Sequence, residues 1–169
     1  MEARPQQIPP RNRIYKTIVL RASRGRVWQA LSDDKEFGAW FGATFDGPFV
    51  SGSKVTGTIA PTSVDPHMAA EQQRYTGQAF ELVIDQIEPE WLMSFRWHPF
   101  PVDSGVGYGD EPTTLVSFEL QDDPEGVVLT ITESGFDRLP PPRRAKAFTA
   151  HEEGWYKQMR LIQKHVSSS

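Results

Sequence analysis

The stretch "AHEEGWYKQMRLIQKHV", Ala150 to Val166, decides the fold because it has the pattern of a long amphipathic helix. At 100° per residue, one narrow apolar stripe runs along this helix and the turn before it. The prolines at 140–142 suit a first helical turn, so we predict one helix that ends near Val166. The stripe consists of Phe148, Trp155, Met159, Ile162 and Val166.

The centre of the chain alternates apolar and polar residues with period two, which is typical of half-buried antiparallel strands. In "WLMSFRWH" (91–98), Met93, Phe95 and Trp97 fall on one face, and Phe118 lies on the matching face of a later segment. Breakers rich in glycine, proline and aspartate separate the segments. We predict strands at Arg13–Ala22, Ala43–Phe45, Lys54–Ala60, Tyr75–Ile87, Trp91–His98, Thr113–Leu120 and Val127–Glu133.

Two short helices are predicted after the first strand. Ser23 is a favourable N-cap, and Asp33 with Glu36 three residues later resembles a capping box. Since the sheet and the long helix each have one apolar face, they must cover each other. The predicted fold is therefore α+β, with a curved antiparallel sheet wrapped around a long C-terminal helix and two short helices after strand one.

Composition argues against several classes of function. The 169 residues, 38% hydrophobic and 24% charged, fit one compact domain. A net charge of −4 with scattered basic residues argues against nucleic acid as a partner. Without cysteine there are no disulfides or thiolate metal sites, and the histidine spacings predict no metal. No signal peptide or long apolar run is present, so we expect a cytoplasmic protein without membrane insertion.

Four pieces of the sequence, in this order, resemble one protein family. They are "VWQALSDDKEFGAWFG" (27–42), "IEPEWLMSFRW" (87–97), "LTITESGF" (129–136) and "EEGWYKQMRLIQKHV" (152–166). They are similar to the bacterial START-like (SRPBCC) proteins with an activator-of-heat-shock-ATPase homology domain. The resemblance implies the helix-grip (START/Bet v-like) fold, in which sheet and helix enclose a mostly apolar cavity that binds hydrophobic or amphipathic small molecules.

The resemblance covers Arg13 to Val166, which we predict to be a single domain. Residues 1–12, rich in proline and polar groups, are expected to form a flexible leader, and residues 167–169 a tail. The eukaryotic co-chaperones of the family carry an additional N-terminal domain that makes much of the contact with heat-shock protein ninety. The twelve-residue leader is too short to be that domain.

Two residues in the helix do not fit a simple packing face. Glu152 projects about 40° from the centre of the stripe, with His151 about 60° off on the other flank. A buried carboxylate needs a partner, a water-filled cavity or a ligand donor. Glu152 is therefore interpreted either as paired with an arginine or backbone group, or as a ligand-orienting residue. Gly154 costs helix stability, and we predict that a neighbouring element approaches it closely.

The predicted function is binding of a hydrophobic or amphipathic small molecule in an internal cavity, without catalysis and without a cofactor. Loops at 61–74 and 99–112 could gate the opening. One alternative is an enzyme of the cyclase or hydrolase type, for which Glu152, His151, Asp85 and Glu133 are the acid–base candidates. Another is contact with a chaperone, and either a monomer or a homodimer is compatible with the sequence. The predicted ligand-binding residues are Trp155, Met159, Glu152, Phe148, Phe95, Trp97, Phe118 and Trp40.

Overall fold

The computed structural model of the chain describes residues 13–99 and 112–167. The strands are β1 (Arg13–Leu20), β2 (Ala43–Phe45), β3 (Lys54–Ile59), β4 (Ala79–Glu88), β5 (Leu92–Trp97), β6 (Thr114–Asp123) and β7 (Gly126–Ser134). The helices are α1 (Arg24–Ser32), α2 (Asp34–Phe41), α3 (Pro66–Gln72) and α4 (Pro141–Ser167). Short 3-10 turns follow α3 at Gln73–Tyr75 and β7 at Phe136–Arg138.

The strands form one antiparallel sheet in the order β1-β7-β6-β5-β4-β3-β2. The strands from β2 to β7 are neighbours in chain order, and β1 pairs with β7 from Arg13–Ser134 to Leu20–Val127. The register shifts between Ile84 and Gln86, where β4 pairs with β5. The α+β helix-grip prediction is confirmed, because α4 packs against β1, α1 and α2 and covers the apolar face of the sheet.

The long helix buries a wider face than the predicted stripe. Its buried residues are Ala147, His151, Trp155, Met159, Leu161, Ile162 and Val166. Alternate residues of β6 and β7 meet this face, as the period-two pattern predicts. Helix and sheet therefore share one core, which fixes which side chains lie between them.

The two short helices begin where the sequence predicts. The Ser23 side chain accepts a hydrogen bond from the Arg26 backbone N–H, and Asp33 accepts from the N–H groups of Lys35 and Glu36. Glu36 does not complete the predicted capping box. Its carboxylate is instead 2.7 Å from the Arg26 guanidinium and 3.0 Å from His165 Nε2 on α4, where it joins three helices.

Three local predictions are wrong. Residues 66–75, expected within a loop and the start of a strand, form α3 and its 3-10 turn because Asp65 caps the helix and Pro66 occupies its first turn. Ser167, assigned to a tail, is the last residue of α4. Within the part of the chain that the structure describes, no neighbour approaches Gly154 closely, since a Cβ built there meets nothing within 4 Å. The predicted leader and most of the predicted loop at 99–112 lie outside the described residues.

Candidate functional site

A buried carboxylate lies between the sheet and the long helix, and it belongs to Glu133. The inward-facing positions of β7 are Val127, Leu129 and Ile131, and the same alternation brings Glu133 inward at the end of the strand. The residue has 0% of its surface exposed. A charge in this position requires partners, because an unpaired buried carboxylate is strongly disfavoured.

Four side chains provide hydrogen bonds to Glu133. Its Oε1 accepts from Trp155 Nε1 at 2.8 Å and is 2.7 Å from His151 Nδ1, both on α4. Its Oε2 accepts from Trp97 Nε1 at 2.8 Å and from Thr114 Oγ1 at 2.6 Å, on β5 and β6. The carboxylate therefore joins the helix to three strands of the sheet.

The environment keeps Glu133 ionised. Burial raises the pKa of its carboxyl group, but attraction to His151 and the hydrogen bonds from His151, Thr114 and Trp97 outweigh this effect. The pKa lies below the ordinary value of 4.5. Because Glu133 is an acceptor, its contact with His151 fixes a proton on Nδ1 of the imidazole.

Two adjoining cavities, of about 310 and 300 Å³, lie beside this network. Their walls share Phe41, Tyr75, Trp97, Gly154 and Gln158. The first cavity also contacts Trp155 and His151, so three of the hydrogen-bond partners of Glu133 form part of the wall. Their N–H groups bond to the carboxylate of Glu133, so the surface that they contribute to the cavity is mainly that of their aromatic rings.

Gly154 lies where these cavities meet. It lines both of them and a third cavity of about 220 Å³ between α3 and α4. A Cβ added at this position would lie in open space, since no atom of the described residues is within 4 Å of it. The glycine therefore keeps a volume open at the point where the three cavities meet.

Two glutamine amides bind one backbone carbonyl beside the cavities. Phe41 is the last residue of α2, where the carbonyl has no partner within the helix. Its oxygen accepts from Gln72 Nε2 and from Gln158 Nε2, each at 3.1 Å. Gln72 Oε1 also accepts from the Thr62 backbone N–H at 2.7 Å. The end of α2 is thus fixed to both α3 and α4.

Helix α3 covers part of α4, and ion pairs connect the two helices in addition to the bonds of Gln72 and the packing of Met68. None of its residues is buried. Lys157 Nζ is 3.2 Å from Glu71 Oε1, a hydrogen bond that raises the pKa of Lys157. Lys164 Nζ is 3.0 Å from Asp65 Oδ2. A backbone hydrogen bond from Met68 and the bond from Lys164 lower the pKa of Asp65.

The structure separates the predicted ligand residues into three groups. Trp155 and Trp97 are in the cavity wall. Phe148 is half-buried against Phe136. The other predicted apolar residues are buried in the core and do not line the described cavities. They are Phe95, Phe118, Trp40 and Met159.

The prediction that Glu152 projects toward the core is wrong, since its side chain is exposed. The buried face of α4 includes Ala147, His151 and Leu161 in addition to the predicted stripe, and these move its centre away from Glu152. The buried carboxylate beneath the helix comes from the sheet instead.

The acid–base candidates also separate. His151 and Glu133 are in direct contact, whereas Asp85 is on the exposed face of β4, with its Oδ2 3.1 Å from Ser94 Oγ. Among residues 13–99 and 112–167, no cluster of histidine and carboxylate groups has the arrangement of a metal site. The same residues contain no helix that is both long and apolar enough to span a membrane.

Sequence reasoning missed Gln72, Gln158, Tyr75 and Phe41 as parts of the site. No local pattern marks them, because they come together only through the packing of α2, α3 and α4. Glu133 had a signal in the sequence. It continues the inward alternation of β7, so it is the polar residue at an apolar position.

The sheet closed over one long helix, with cavities between them, defines a START-like protein of the helix-grip fold. Residues 21–167 match the family model described as Activator of Hsp90 ATPase homolog 1-like protein. The chain belongs to this family. Proteins with this fold commonly bind hydrophobic ligands. No curated protein matches the sequence.

Solved structures from several bacteria share the fold. Protein MLL2253 from Mesorhizobium loti is 16% identical with a TM-score of 0.68, over 93% of this chain and 98% of that one. A protein from Arthrobacter aurescens is 18% identical with a TM-score of 0.68, over 93% and 87%. The Aha1 dimer from Colwellia psychrerythraea is 17% identical with a TM-score of 0.63, over 91% and 96%. At these identities the likeness establishes the fold.

Proposed function

We propose that the chain binds an apolar or amphipathic small molecule in the cavities around Gly154. The observation that carries this proposal is the open space at that glycine. In a helix interior, glycine is less stable than alanine by about 1 kcal/mol. The cost is usually offset by close packing, but a Cβ at position 154 meets no atom within 4 Å. We therefore explain the glycine by the open space beside it, which a ligand can occupy.

The chemistry of the walls supports an apolar ligand with ring character. Phe41, Phe80, Trp97 and Trp155 contribute aromatic surface to the two larger cavities. The rings of Trp97 and Trp155 are stacked, with centroids 5.9 Å apart and an interplanar angle of 28°. Aromatic walls with a few polar groups are typical of small-molecule sites, and aromatic contacts add about 0.5–1.5 kcal/mol beyond area burial.

The test is titration with Nile red, a neutral fluorescent probe, into the wild type and Gly154→Leu. Leucine occupies volume that the probe needs, so we expect the affinity for Nile red to fall roughly tenfold, which corresponds to about 1.4 kcal/mol. Gly25→Leu is the matched control, because Gly25 is also helical and also has nothing within 4 Å of an added Cβ. Equal Nile red affinity in all three proteins would contradict the proposal.

A second candidate is catalysis in the same cavity, favoured by the contact between Glu133 and His151. A buried carboxylate 2.7 Å from Nδ1 holds an imidazole in one tautomer, and His151 lines the cavity. Hydrolysis of 2-naphthyl acetate by the wild type, compared with His151→Gln, is the test. Turnover above the background rate that disappears in His151→Gln would favour an enzyme of the hydrolase type. Equal rates would exclude His151 from hydrolysis of this ester.

The names of the relatives add two proposals about partners. The family's name supports a chaperone contact as a third candidate function, which stimulation of a chaperone ATPase by the purified chain would test. The Colwellia relative is described as a dimer, so a homodimer is proposed beside the monomer. Sedimentation of the full chain over a range of concentrations distinguishes these two states.

A further inference from the structure

Gln158 and Tyr75 are the polar residues common to all three cavities around Gly154, and Gln158 is the one on α4. It lies on α4, one turn after Gly154, so the two residues share a face of the helix. Its position places an amide group beside the volume that the glycine keeps open. The orientation of that amide determines which ligand chemistry it can recognise.

The Phe41 carbonyl fixes the orientation. A carbonyl oxygen can only accept, so the group that points at it must be Gln158 Nε2, at 3.1 Å. Gln158 Oε1 is therefore left as an acceptor. It is buried and has no hydrogen-bond partner within residues 13–99 and 112–167. Gln72 differs, because its Oε1 accepts from the Thr62 N–H.

The charge around the two cavities beside Glu133 disfavours an anionic ligand there. Among the described residues, their walls include no lysine and no arginine, whereas the third cavity has Arg74 and Lys157, of which Lys157 is paired with Glu71. The carboxylate of Glu133 lies directly behind Trp97, His151 and Trp155. A ligand carboxylate would thus lose its hydration without gaining a cationic partner from these walls.

We propose that Gln158 Oε1 accepts a hydrogen bond from a hydroxyl or N–H group of the ligand, and that the ligand is a neutral, donor-bearing molecule with an apolar ring body. This inference rests on the proposed binding function and specifies its substrate class. A donor supplied by the ligand satisfies the buried acceptor, whereas an acceptor-only ligand leaves it unsatisfied. Gln158 is then a specificity-determining residue.

The experiment compares three probes of the same ring body by calorimetry. These are 2-naphthol, which is a donor; 2-methoxynaphthalene, which is only an acceptor; and 2-naphthoate, which is an anion. We expect 2-naphthol to bind about three- to tenfold more tightly than 2-methoxynaphthalene, and 2-naphthoate to bind most weakly. Equal affinities, or tightest binding of 2-naphthoate, overturn this inference while leaving the proposed function intact. Absence of binding by every probe overturns both.

Two variants assign the selectivity to one atom. Gln158→Met removes the unpaired acceptor, so the affinity ratio of 2-naphthol to 2-methoxynaphthalene should fall to about one. Gln72→Met is the matched control, since it also removes an amide bond to the Phe41 carbonyl but not the unpaired acceptor, and it should keep the ratio. The ratio is measured on folded protein and does not depend on small losses of stability. A ratio retained in Gln158→Met, or lost equally in both variants, overturns the role of Gln158.

Discussion

Trp97 and Trp155 stack on each other and donate their indole N–H groups to opposite oxygens of one carboxylate, that of Glu133. One residue comes from β5 and the other from α4, so the pair connects the sheet to the helix. The carboxylate holds both rings in the cavity wall by their polar edges. Positioning of the aromatic wall thus depends on a charged residue that is itself fully buried.

Replacing Glu133 should destabilise the fold strongly. Glu133→Leu leaves two indole N–H groups, a hydroxyl and an imidazole N–H without their acceptor, and breaking such a buried network costs roughly 3–5 kcal/mol. Urea unfolding measures the difference. Glu152→Leu is the control, since the exposed Glu152 should change stability by no more than about 0.5 kcal/mol. A larger loss from Glu152 than from Glu133 would contradict the structure.

Stability should fall in acid because the pKa of Glu133 is lower in the folded protein. A depressed folded-state pKa stabilises the fold above the unfolded value and loses that contribution as the pH falls through the folded one. We therefore expect the free energy of unfolding to decline as the pH is lowered below about 4.5. The measurement is urea unfolding at a series of pH values. Glu133→Gln, which cannot titrate at this position, should show a shallower decline.

Gly154→Ala should stabilise the protein. Alanine is favoured over glycine in a helix interior by about 1 kcal/mol, and the added methyl group meets no atom within 4 Å. Thermal melts of the apo protein check the sign. Close packing around Gly154 would instead make the alanine variant less stable. Gly25→Ala, at the exposed start of α1, provides the comparison for a helical glycine far from the cavities.

Helix α3 should open more readily than α4. It buries no residue, and two ion pairs that salt screens connect it to α4, Lys157–Glu71 and Lys164–Asp65, in addition to the Gln72 bond to the end of α2. Hydrogen exchange should therefore be faster in residues 66–75 than in the centre of α4, and 1 M NaCl should increase the difference. Lys157→Gln should reproduce part of the salt effect at low ionic strength. Equal protection of the two helices, or no response to salt, would show that the ion pairs do not limit the opening of α3.

The sequence predicted the fold well because its signals were long and periodic. The alternation in β5, β6 and β7 and the apolar face of α4 each extend over many residues, so errors at single positions do not change the interpretation. Helix α3 was missed because it has only seven residues and no buried face. Its Asp65–Pro66 start resembles a loop signal as much as a helix cap.

The site was less predictable because it depends on the angles between elements. A shift in the centre of the buried face of α4 is enough to bury His151 and leave Glu152 exposed. The contact of Gln158 with Phe41 joins residues that are 117 positions apart. Neither relationship has a local signature, whereas the inward position of Glu133 follows directly from the alternation in its strand.

The hydrogen bonds from Trp97 and Trp155 to Glu133 also allow the cavity to be studied by tryptophan fluorescence, without an added label. Indole emission responds to a nearby carboxylate, and these two tryptophans are both in the wall. Trp40 lies in the core with its N–H on the Ala30 carbonyl, Trp91 is exposed beside Arg24, and Trp28 is partly buried, so these three contribute background emission. Binding of a ligand in the cavity can therefore be followed through the intrinsic fluorescence of Trp97 and Trp155.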